Sequence, residues 1–308
     1  FSRLKLRNRG ARKRRLSATA YVEWVLGDVR ANSAMHVRTW IDETSGALMA
    51  ANAFDAEFTD EVAFFDVVAG TRSLTADRVE FIGRNGSLRA PAALRRRRLS
   101  GRSGAGFDPC GALKVDMELD AGGEREIVFR LGSGRDGAEA SALAQRFRAP
   151  ESAREALDEV HRYWARTLDT IQVDTPDAAI NVLANGWLCY QTLASRLWGR
   201  SGYYQSGGAY GFRDQLQDVM ALMHAEPGLM REHLLRAAAR QFQEGDVQHW
   251  WHPPGGRGVR TRCSDDYLWL PLAVSRYVEL TGDTSVLGED GGFLDGAALD
   301  GGVDSRYD

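Results

Sequence analysis

A glycine- and tyrosine-rich stretch that leads into charged residues carries the strongest chemical signal in the sequence. It spans residues 201–218 and reads SGYYQSGGAYGFRDQLQD, and it is followed by Trp250-Trp251-His252 and by Ser264-Asp265-Asp266. Glycines let a backbone approach a flat ligand, aromatic rings pack on the C–H faces of sugars, and carboxylate and guanidinium groups bind hydroxyls. The pattern therefore predicts a carbohydrate site.

Asp265 and Asp266 are the first candidates for acid catalysis, because cleavage of a glycosidic bond needs an acid that protonates the departing oxygen. They follow a loop with several arginines and precede an aromatic segment. Adjacent acids repel and burial raises a carboxyl pKa, so we expect one of the pair to stay protonated near neutral pH. The alternative is that Ser264 and Asp265 only cap the helix that begins at Asp266.

Other acids and histidines have both functional and purely structural interpretations. Asp214 and Asp218 lie four apart and so on one helix face, where they contact ligand or are surface acids. Glu244 or Asp246 could act as a catalytic base, or both could be ordinary loop residues. His249 and His252 could bind a metal, but no third ligand accompanies them, which favours sugar stacking or a packed loop.

The elements that must position these residues change type along the chain. Short segments rich in β-branched and aromatic residues, such as residues 18–26, 63–68 and 125–131, predict an antiparallel β-sandwich over residues 1–134. From Ala138 onward the apolar residues recur every three or four positions, which predicts a helical linker over 135–172.

The remaining part, 173–308, is predicted to be all-α, with functional loops between its helices. A long helix should begin at Pro176 with Thr175 as its cap, and further helices are expected near 213–224, 229–243 and 266–281. Paired helices whose loops converge at one end suggest a toroid. The tail from Gly282 onward shows no convincing element.

Composition excludes several classes of function. The 308 residues are 44% hydrophobic with a formal net charge of −3, which argues against nucleic acid as the main partner. No apolar stretch reaches the roughly 18 residues of a membrane span. The three cysteines have no paired spacing, which indicates a reducing compartment and no structural metal, and neither a phosphate-binding loop nor a serine-esterase elbow occurs.

Three long motifs resemble glycoside hydrolase family 94. They are YYQSGGAYGFRDQLQD at 203–218, EGDVQHWWHPP at 244–254 and RTRCSDDYLWLP at 260–271, and the upstream pieces YVEWVLG (21–27), FIGRN (81–85) and GFDP (106–109) are similar as well. The nearest similarity is to the phosphorylase-like region of cyclic β-1,2-glucan synthases.

The resemblance implies a fold and a reaction. The fold is an N-terminal β-sandwich, a helical linker and the first part of an (α/α)6 barrel. The reaction is inverting phosphorolysis of a β-1,2-linked glucan to α-glucose 1-phosphate, with inorganic phosphate as co-substrate and no cofactor. Asp265 matches the general acid, and Asp214 matches a residue that holds the donor sugar. Further substrate-binding candidates are Arg213, Gln205, Tyr204, Trp250, Trp251, His252, Arg262 and Asp266.

Two departures from the cellobiose-type pattern bear on linkage. Gly208 stands where those members carry an arginine, and Cys263 stands where they carry a tryptophan; both fit the β-1,2-glucan branch.

The family pattern continues beyond residue 308 with phosphate-binding residues, so we expect this chain to hold only part of the barrel. We further expect a cytoplasmic location and a possible fusion to a membrane glycosyltransferase. The alternatives are an inverting hydrolase and a non-catalytic glucan-binding module or remnant.

Overall fold

The structure is a computed structural model that describes residues 1–27, 29–55, 57–202 and 207–307. Its residues group into two compact units, 1–158 and 159–308. The division falls inside the helix Pro150–Leu168. The two units are described in turn.

Two antiparallel sheets make up most of the first unit. The strands are β1 (Ser2–Arg7), β2 (Arg14–Glu23), β3 (Val37–Ile41), β4 (Leu48–Asn52), β5 (Val62–Val67), β6 (Arg72–Asp77), β7 (Pro109–Leu119) and β8 (Glu124–Gly134). One sheet has the order β1-β8-β5-β4-β3, and the other has the order β2-β7-β6. The longest strands, β7 and β8, each have a strand on both sides.

A single apolar core lies between the faces of these sheets. Leu48, Phe65 and Phe129 contribute from the five-stranded sheet, and Leu74 and Leu113 contribute from the three-stranded sheet, all 7% exposed or less. Burial of such side chains is the main favourable term in folding. The antiparallel β prediction for this part of the chain is thus confirmed.

Helices border the sheets. They are α1 (Arg30–Ser33), α2 (Arg78–Ile82), α3 (Gly137–Arg146) and α4 (Pro150–Leu168). Short 3-10 turns follow α1 at Ala34–His36 and precede β7 at Ala92–Arg95. The side chain of Asp136 caps α3 by accepting a hydrogen bond from the Glu139 N–H. Helices therefore occupy the segment for which helical periodicity was predicted.

Helices are more extensive than strands in the described part of the second unit. They are α5 (Ala178–Val182), α6 (Leu188–Gln191), α7 (Phe212–Ala221), α8 (Pro227–Ala238) and α9 (Asp266–Thr281). Wider π-type turns occupy Leu183–Trp187 and Thr192–Trp198, and a 3-10 turn occupies Thr284–Gly288. The prediction for α9 has the observed bounds, and left-handed Gly282 (φ 70°) ends it.

The predicted start of the long helix after Thr175 is wrong by two residues. Asp177 is the cap, since its carboxylate accepts a hydrogen bond from the Ala179 N–H. Thr175 instead bonds the Asn181 side chain. The helical path also breaks at Asn185 and Gly186, whose backbone angles are not helical.

The prediction that the second unit is all-α is also wrong. A small antiparallel sheet of order β12-β11-β10-β9 is formed by β9 (Tyr210–Gly211), β10 (Val247–Trp251), β11 (Gly258–Thr261) and β12 (Ser305–Tyr307). The expected aromatic loop is therefore one strand of a hairpin. The sequence of β10 does not show the alternation of buried and exposed residues typical of a strand, because the register of its pairing with β11 shifts between Gln248 and Trp250.

Helices α7, α8 and α9 pack with this sheet around a second core. Phe212, Leu216, Met230, Leu234 and Trp251 are each 1% exposed or less. The core fixes the starts of α7 and α9 beside β10, which is where the predicted site residues lie.

Two further findings concern the described residues. No helix among them is long and apolar enough to cross a membrane. Cys110, Cys189 and Cys263 all carry free thiols.

Candidate functional site

Asp265 and Arg213 face each other from the starts of two helices. Arg213 lies in the first turn of α7, Asp265 directly precedes α9, and the Arg213 Nη1 atom is 2.8 Å from Asp265 Oδ2. Trp269 Nε1 donates to the same oxygen at 3.3 Å, and the Cys263 thiol donates to Oδ1 at 2.9 Å. The side chain of Asp265 makes no bond to a helix N–H, so it does not act as the cap.

This arrangement holds the pKa of Asp265 well below its usual range. The causes are the hydrogen bonds from the Cys263 thiol, from the Arg213 guanidinium and from the Trp269 indole. The expectation that crowding and burial protonate one acid is therefore not met at Asp265. The reason is that its side chain is 41% exposed and accepts hydrogen bonds, instead of being buried against apolar side chains.

Asp266 has a different environment from its neighbour. It is 1% exposed, and its Oδ2 atom lies 2.8 Å from His249 Nδ1. The hydrogen bond to this carboxylate raises the pKa of His249, against an opposing effect of burial. The two adjacent acids are thus separated in role, one exposed beside an arginine and one buried beside a histidine.

Asp214 and Asp218 lie on one face of α7, as their spacing predicts. Arg196 joins them: its Nη2 atom is 3.5 Å from Asp214 Oδ2, and its Nε atom is 2.8 Å from Asp218 Oδ2. Burial raises the pKa of Asp218, and the nearby Arg196 opposes that shift. The two acids are therefore held together by one cation.

A small cleft brings several of the predicted residues together. Gly211, Arg213, Asp214, His249 and Trp250 line it. Trp250 is partly exposed and its ring lies 5.5 Å from that of His252, centre to centre. Its volume of about 10 Å³ does not hold a sugar ring, but its lining has the aromatic and charged side chains that sugar sites use.

The expectation that Trp251 binds substrate needs correction. It is 1% exposed, stacks on Tyr210 at 5.4 Å and lies beneath Arg240. Neighbouring side chains on a strand point to opposite faces, so Trp250 faces the cleft while Trp251 enters the core.

Arg262 lies apart from the Asp265 contacts. Its guanidinium donates to the backbone carbonyls of Leu299 and Asp300. Its predicted contact with substrate remains a prediction.

Glu244 and Asp246 are partners of a buried arginine. Arg260 is 0% exposed, and its Nε and Nη2 atoms each lie 2.7 Å from an Asp246 oxygen. Nη2 also donates to Glu244 at 2.9 Å, and Nη1 donates to the carbonyls of Gly296 and Ala297. Both acids therefore serve to neutralise Arg260.

Two predicted site residues cannot be placed, and three residues that contact the acids were not predicted to do so. Tyr204 and Gln205 fall outside the described residues. Arg196, Cys263 and Trp269 were not assigned contacts to the acids. The spacing of Trp269, one helical turn after Asp265, could have revealed its contact, whereas Arg196 reaches its partners from a separate element.

A larger cavity of about 730 Å³ lies in the first unit. Arginines 15, 97, 98 and 125 and Lys114 are among its lining residues. Its rim does not contain the aromatic rings that accompany the acids of the second unit. We therefore place the candidate site at the smaller cleft.

Comparison with known sequences finds one family over both units. Residues 1–150 match "Glycosyl hydrolase 94, supersandwich domain", and residues 163–299 match "Glycosyl hydrolase 94 superfamily, catalytic domain".

Among curated relatives, the cyclic beta-(1,2)-glucan synthase NdvB of Rhizobium meliloti (strain 1021) is 41% identical over 99% of this chain, which covers 11% of that protein. The N,N'-diacetylchitobiose phosphorylase of Vibrio proteolyticus is 24% identical over 94% of this chain, which covers 40% of it. The cellobionic acid phosphorylase of Neurospora crassa is 25% identical over 93% of this chain, which covers 36% of it. The chain thus spans well under half of each relative.

Proposed function

The chain belongs to glycoside hydrolase family 94, and on that premise we propose that it supplies the acid and the donor-sugar contacts for inverting phosphorolysis of a β-1,2-linked glucan. The products are α-glucose 1-phosphate and a glucan shortened by one unit. The relatives support the class of reaction, since several are named as phosphorylases. The β-1,2 linkage is proposed from the relative named as a β-(1,2)-glucan synthase.

The observation that carries the proposal is that Arg213, which lines the cleft together with Asp214, also contacts Asp265. Arg213 Nη1 lies 2.8 Å from Asp265 Oδ2, and Arg213 Nε lies 3.7 Å from Asp214 Oδ1. A carboxylic acid, a cation and a hydroxyl-binding carboxylate at one place are what cleavage of a sugar needs.

In the proposed mechanism, Asp265 gives its proton to the glycosidic oxygen as that bond breaks. An oxygen of inorganic phosphate bonds to the anomeric carbon from the opposite face, which inverts its configuration from β to α. Phosphate is already a nucleophile, so the reaction needs no carboxylate to activate water. Asp214 holds hydroxyls of the donor sugar.

Arg213 must release Asp265 for this step. The ion pair favours the charged carboxylate, whereas a general acid has to carry a proton. We propose that bound substrate or phosphate takes over the guanidinium, because both offer oxygen acceptors. Asp265 then takes up a proton from solvent in the bound state.

The inverting-hydrolase alternative requires a free carboxylate as base, and the described candidates are engaged. Glu244 and Asp246 are paired with Arg260, and Asp218 is paired with Arg196. The non-catalytic alternative predicts glucan binding without turnover. Phosphorolysis is favoured because Asp265 lies next to Arg213 of the cleft as a candidate acid and no base is required.

The wider architecture is part of the same proposal. Helices α7, α8 and α9 would belong to an (α/α)6 barrel, with domain boundaries near residues 134 and 172. The partners would be β-glucan and inorganic phosphate, within a cyclic β-1,2-glucan synthase that also carries a membrane glycosyltransferase.

Phosphate-dependent release of glucose 1-phosphate tests the proposal. The protein is incubated with β-1,2-gluco-oligosaccharides, with and without phosphate, and both sugar products are measured. Asp265→Asn should abolish release, while Asp290→Asn, at an exposed acid of the tail, should leave it unchanged. Free glucose formed without phosphate would support a hydrolase instead, and calorimetric binding without turnover would support the non-catalytic module.

A further inference from the structure

A nitrogen, a sulfur and an oxygen donor converge beside the acid pair. His249 lies on β10, Cys263 lies in the turn after β11, and Asp266 begins α9. One potential ligand atom of each residue lies within 4.8 Å of those of the other two. Three separate elements thus bring their side chains to one point.

Asp266 gives an independent indication that this point receives a ligand. The residue is 1% exposed, and its Oδ2 atom is occupied by His249. Its Oδ1 atom is buried and has no hydrogen-bond partner among the residues that the structure describes. A buried carboxylate oxygen without a donor is costly, so a bound cation would stabilise it.

The donor set selects the kind of cation. Imidazole, thiolate and carboxylate are together the ligands of zinc, whereas magnesium and calcium take oxygen ligands. We propose that His249, Cys263 and Asp266 form a binding site for Zn²⁺.

The geometry requires only small adjustments. Zinc bonds of about 2.0–2.3 Å place tetrahedral ligand atoms roughly 3.3–3.8 Å apart, so ligand atoms near the 4.8 Å limit would close by about 1 Å. The His249 Nδ1 and Asp266 Oδ2 atoms, which are 2.8 Å apart, would instead separate by about 0.5 Å or more. The ion replaces the His249–Asp266 hydrogen bond, and the thiol proton passes to solvent as the thiolate binds. One thiolate and one carboxylate balance the two positive charges of the ion. The positive charge of Arg213, which acts on His249, opposes binding of the cation.

The fourth coordination position points to a consequence for the acid. Asp265 Oδ1 lies 2.9 Å from the Cys263 sulfur, so an ion bound to that sulfur lies beside this oxygen and can draw it into the fourth position by a rotation of the Asp265 side chain. A carboxylate bound to zinc cannot donate a proton. Zinc would therefore inhibit the reaction reversibly, and this consequence rests on the proposed function, whereas the site itself does not.

Cobalt(II) absorption tests the site without any turnover. Co²⁺ replaces zinc in such sites, and a bound thiolate gives a sulfur-to-cobalt charge-transfer band. The protein should develop this band at one equivalent of Co²⁺ and lose it on addition of Zn²⁺. Cys263→Ser should remove the band, and Asp266→Asn should weaken Co²⁺ binding by more than about tenfold.

Cys189→Ser is the matched control, since Cys189 is a partly exposed thiol of the same unit outside the cluster. It should keep the band, and circular dichroism should show that both serine variants are folded. A band that survives in Cys263→Ser, or the absence of any band in the folded protein, would overturn the proposal.

Inhibition is then measured separately from binding. Zn²⁺ should slow phosphorolysis by the unmodified protein, a chelator should restore it, and Cys263→Ser should be less sensitive. If the cobalt band behaves as expected but phosphorolysis is not detected at all, the function proposed above fails and the metal site stands.

Discussion

At the residue scale, Asp265 shows how adjacent side chains with the same chemistry acquire different properties. It is exposed beside Arg213, whereas Asp266 is buried beside His249. The sequence identifies the pair and its place before a helix. It does not identify the partners, because Arg213 and His249 are brought in by elements far away in the chain.

Removing the guanidinium should raise the pKa of Asp265. In Arg213→Gln one of the donors that hold the carboxylate charged is lost, so the proton binds more readily. A carboxyl NMR titration would measure the shift directly. Arg262→Gln is the control, because its guanidinium bonds backbone carbonyls instead, and an equal shift in both variants would contradict the assigned cause.

Removing Arg196 should act on the two acids of α7. In Arg196→Met the pKa of Asp218 should rise further, since burial raises it already and the arginine opposes that shift. Under the proposed function, the KM for glucan should also increase, because Asp214 loses a neighbour that orients it. Kinetics at several glucan concentrations would separate this from a loss of kcat, and an unchanged KM would count against the orienting role.

At the element scale, the hairpin of β10 and β11 is the part that pattern analysis misread. Its aromatic run Trp250-Trp251-His252 suggested a loop, but Trp251 enters the core and Trp250 lines the cleft. The register shift obscures the period-two signal. In contrast, α9 was predicted with correct bounds, because a regular apolar period and a glycine stop are local signals.

Arg260 should contribute strongly to the stability of this hairpin. Arg260→Met leaves the buried Asp246 carboxylate without its partner, and breaking such a pair costs about 3–5 kcal/mol. Urea unfolding would measure the loss. Arg262→Met, at an exposed position just after β11, should cost about 1 kcal/mol or less, and equal losses would contradict the importance of burial.

The end of α9 should respond to acid through Asp283. Hydrogen bonds from Ser285 and Tyr277 lower the pKa of Asp283 to about 2, and Arg231 adds to this. A lowered pKa gives stability that is present above the unfolded value, about 3.9, and that is lost as the pH falls towards 2. The difference in urea midpoint between the unmodified protein and Asp283→Asn should therefore shrink from pH 6 to pH 3. A difference that stays constant would contradict the shift.

At the scale of the whole molecule, each unit has its own large apolar core. One lies between the β-sheets of residues 1–158, and the other lies among α7, α8, α9 and β10. The change from alternating to helical periodicity near residue 134 predicted this succession. It did not predict the small sheet of the second unit, because its strands are too short to show a period and its outer strands pair with residues far away in the chain, as Trp251 does with Tyr210 and Val259 with Tyr307.

Core substitutions should therefore act within their own unit. Phe65→Ala should cost about 3–5 kcal/mol in the sandwich, and Leu216→Ala should cost about 2–5 kcal/mol in the helical unit. Hydrogen exchange resolved along the chain would locate each loss. Increased exchange in both units from either substitution would show that the units unfold as one.

The arrangement around Arg260 limits how this part of the molecule can vary in length. One buried guanidinium holds an acid on each side of Gly245, the strand β11 and the carbonyls of Gly296 and Ala297. An insertion or deletion between any two of these points would pull one of them away from the cation. Homologous proteins should therefore keep these spacings fixed, while loops that do not contact Arg260 are free to lengthen.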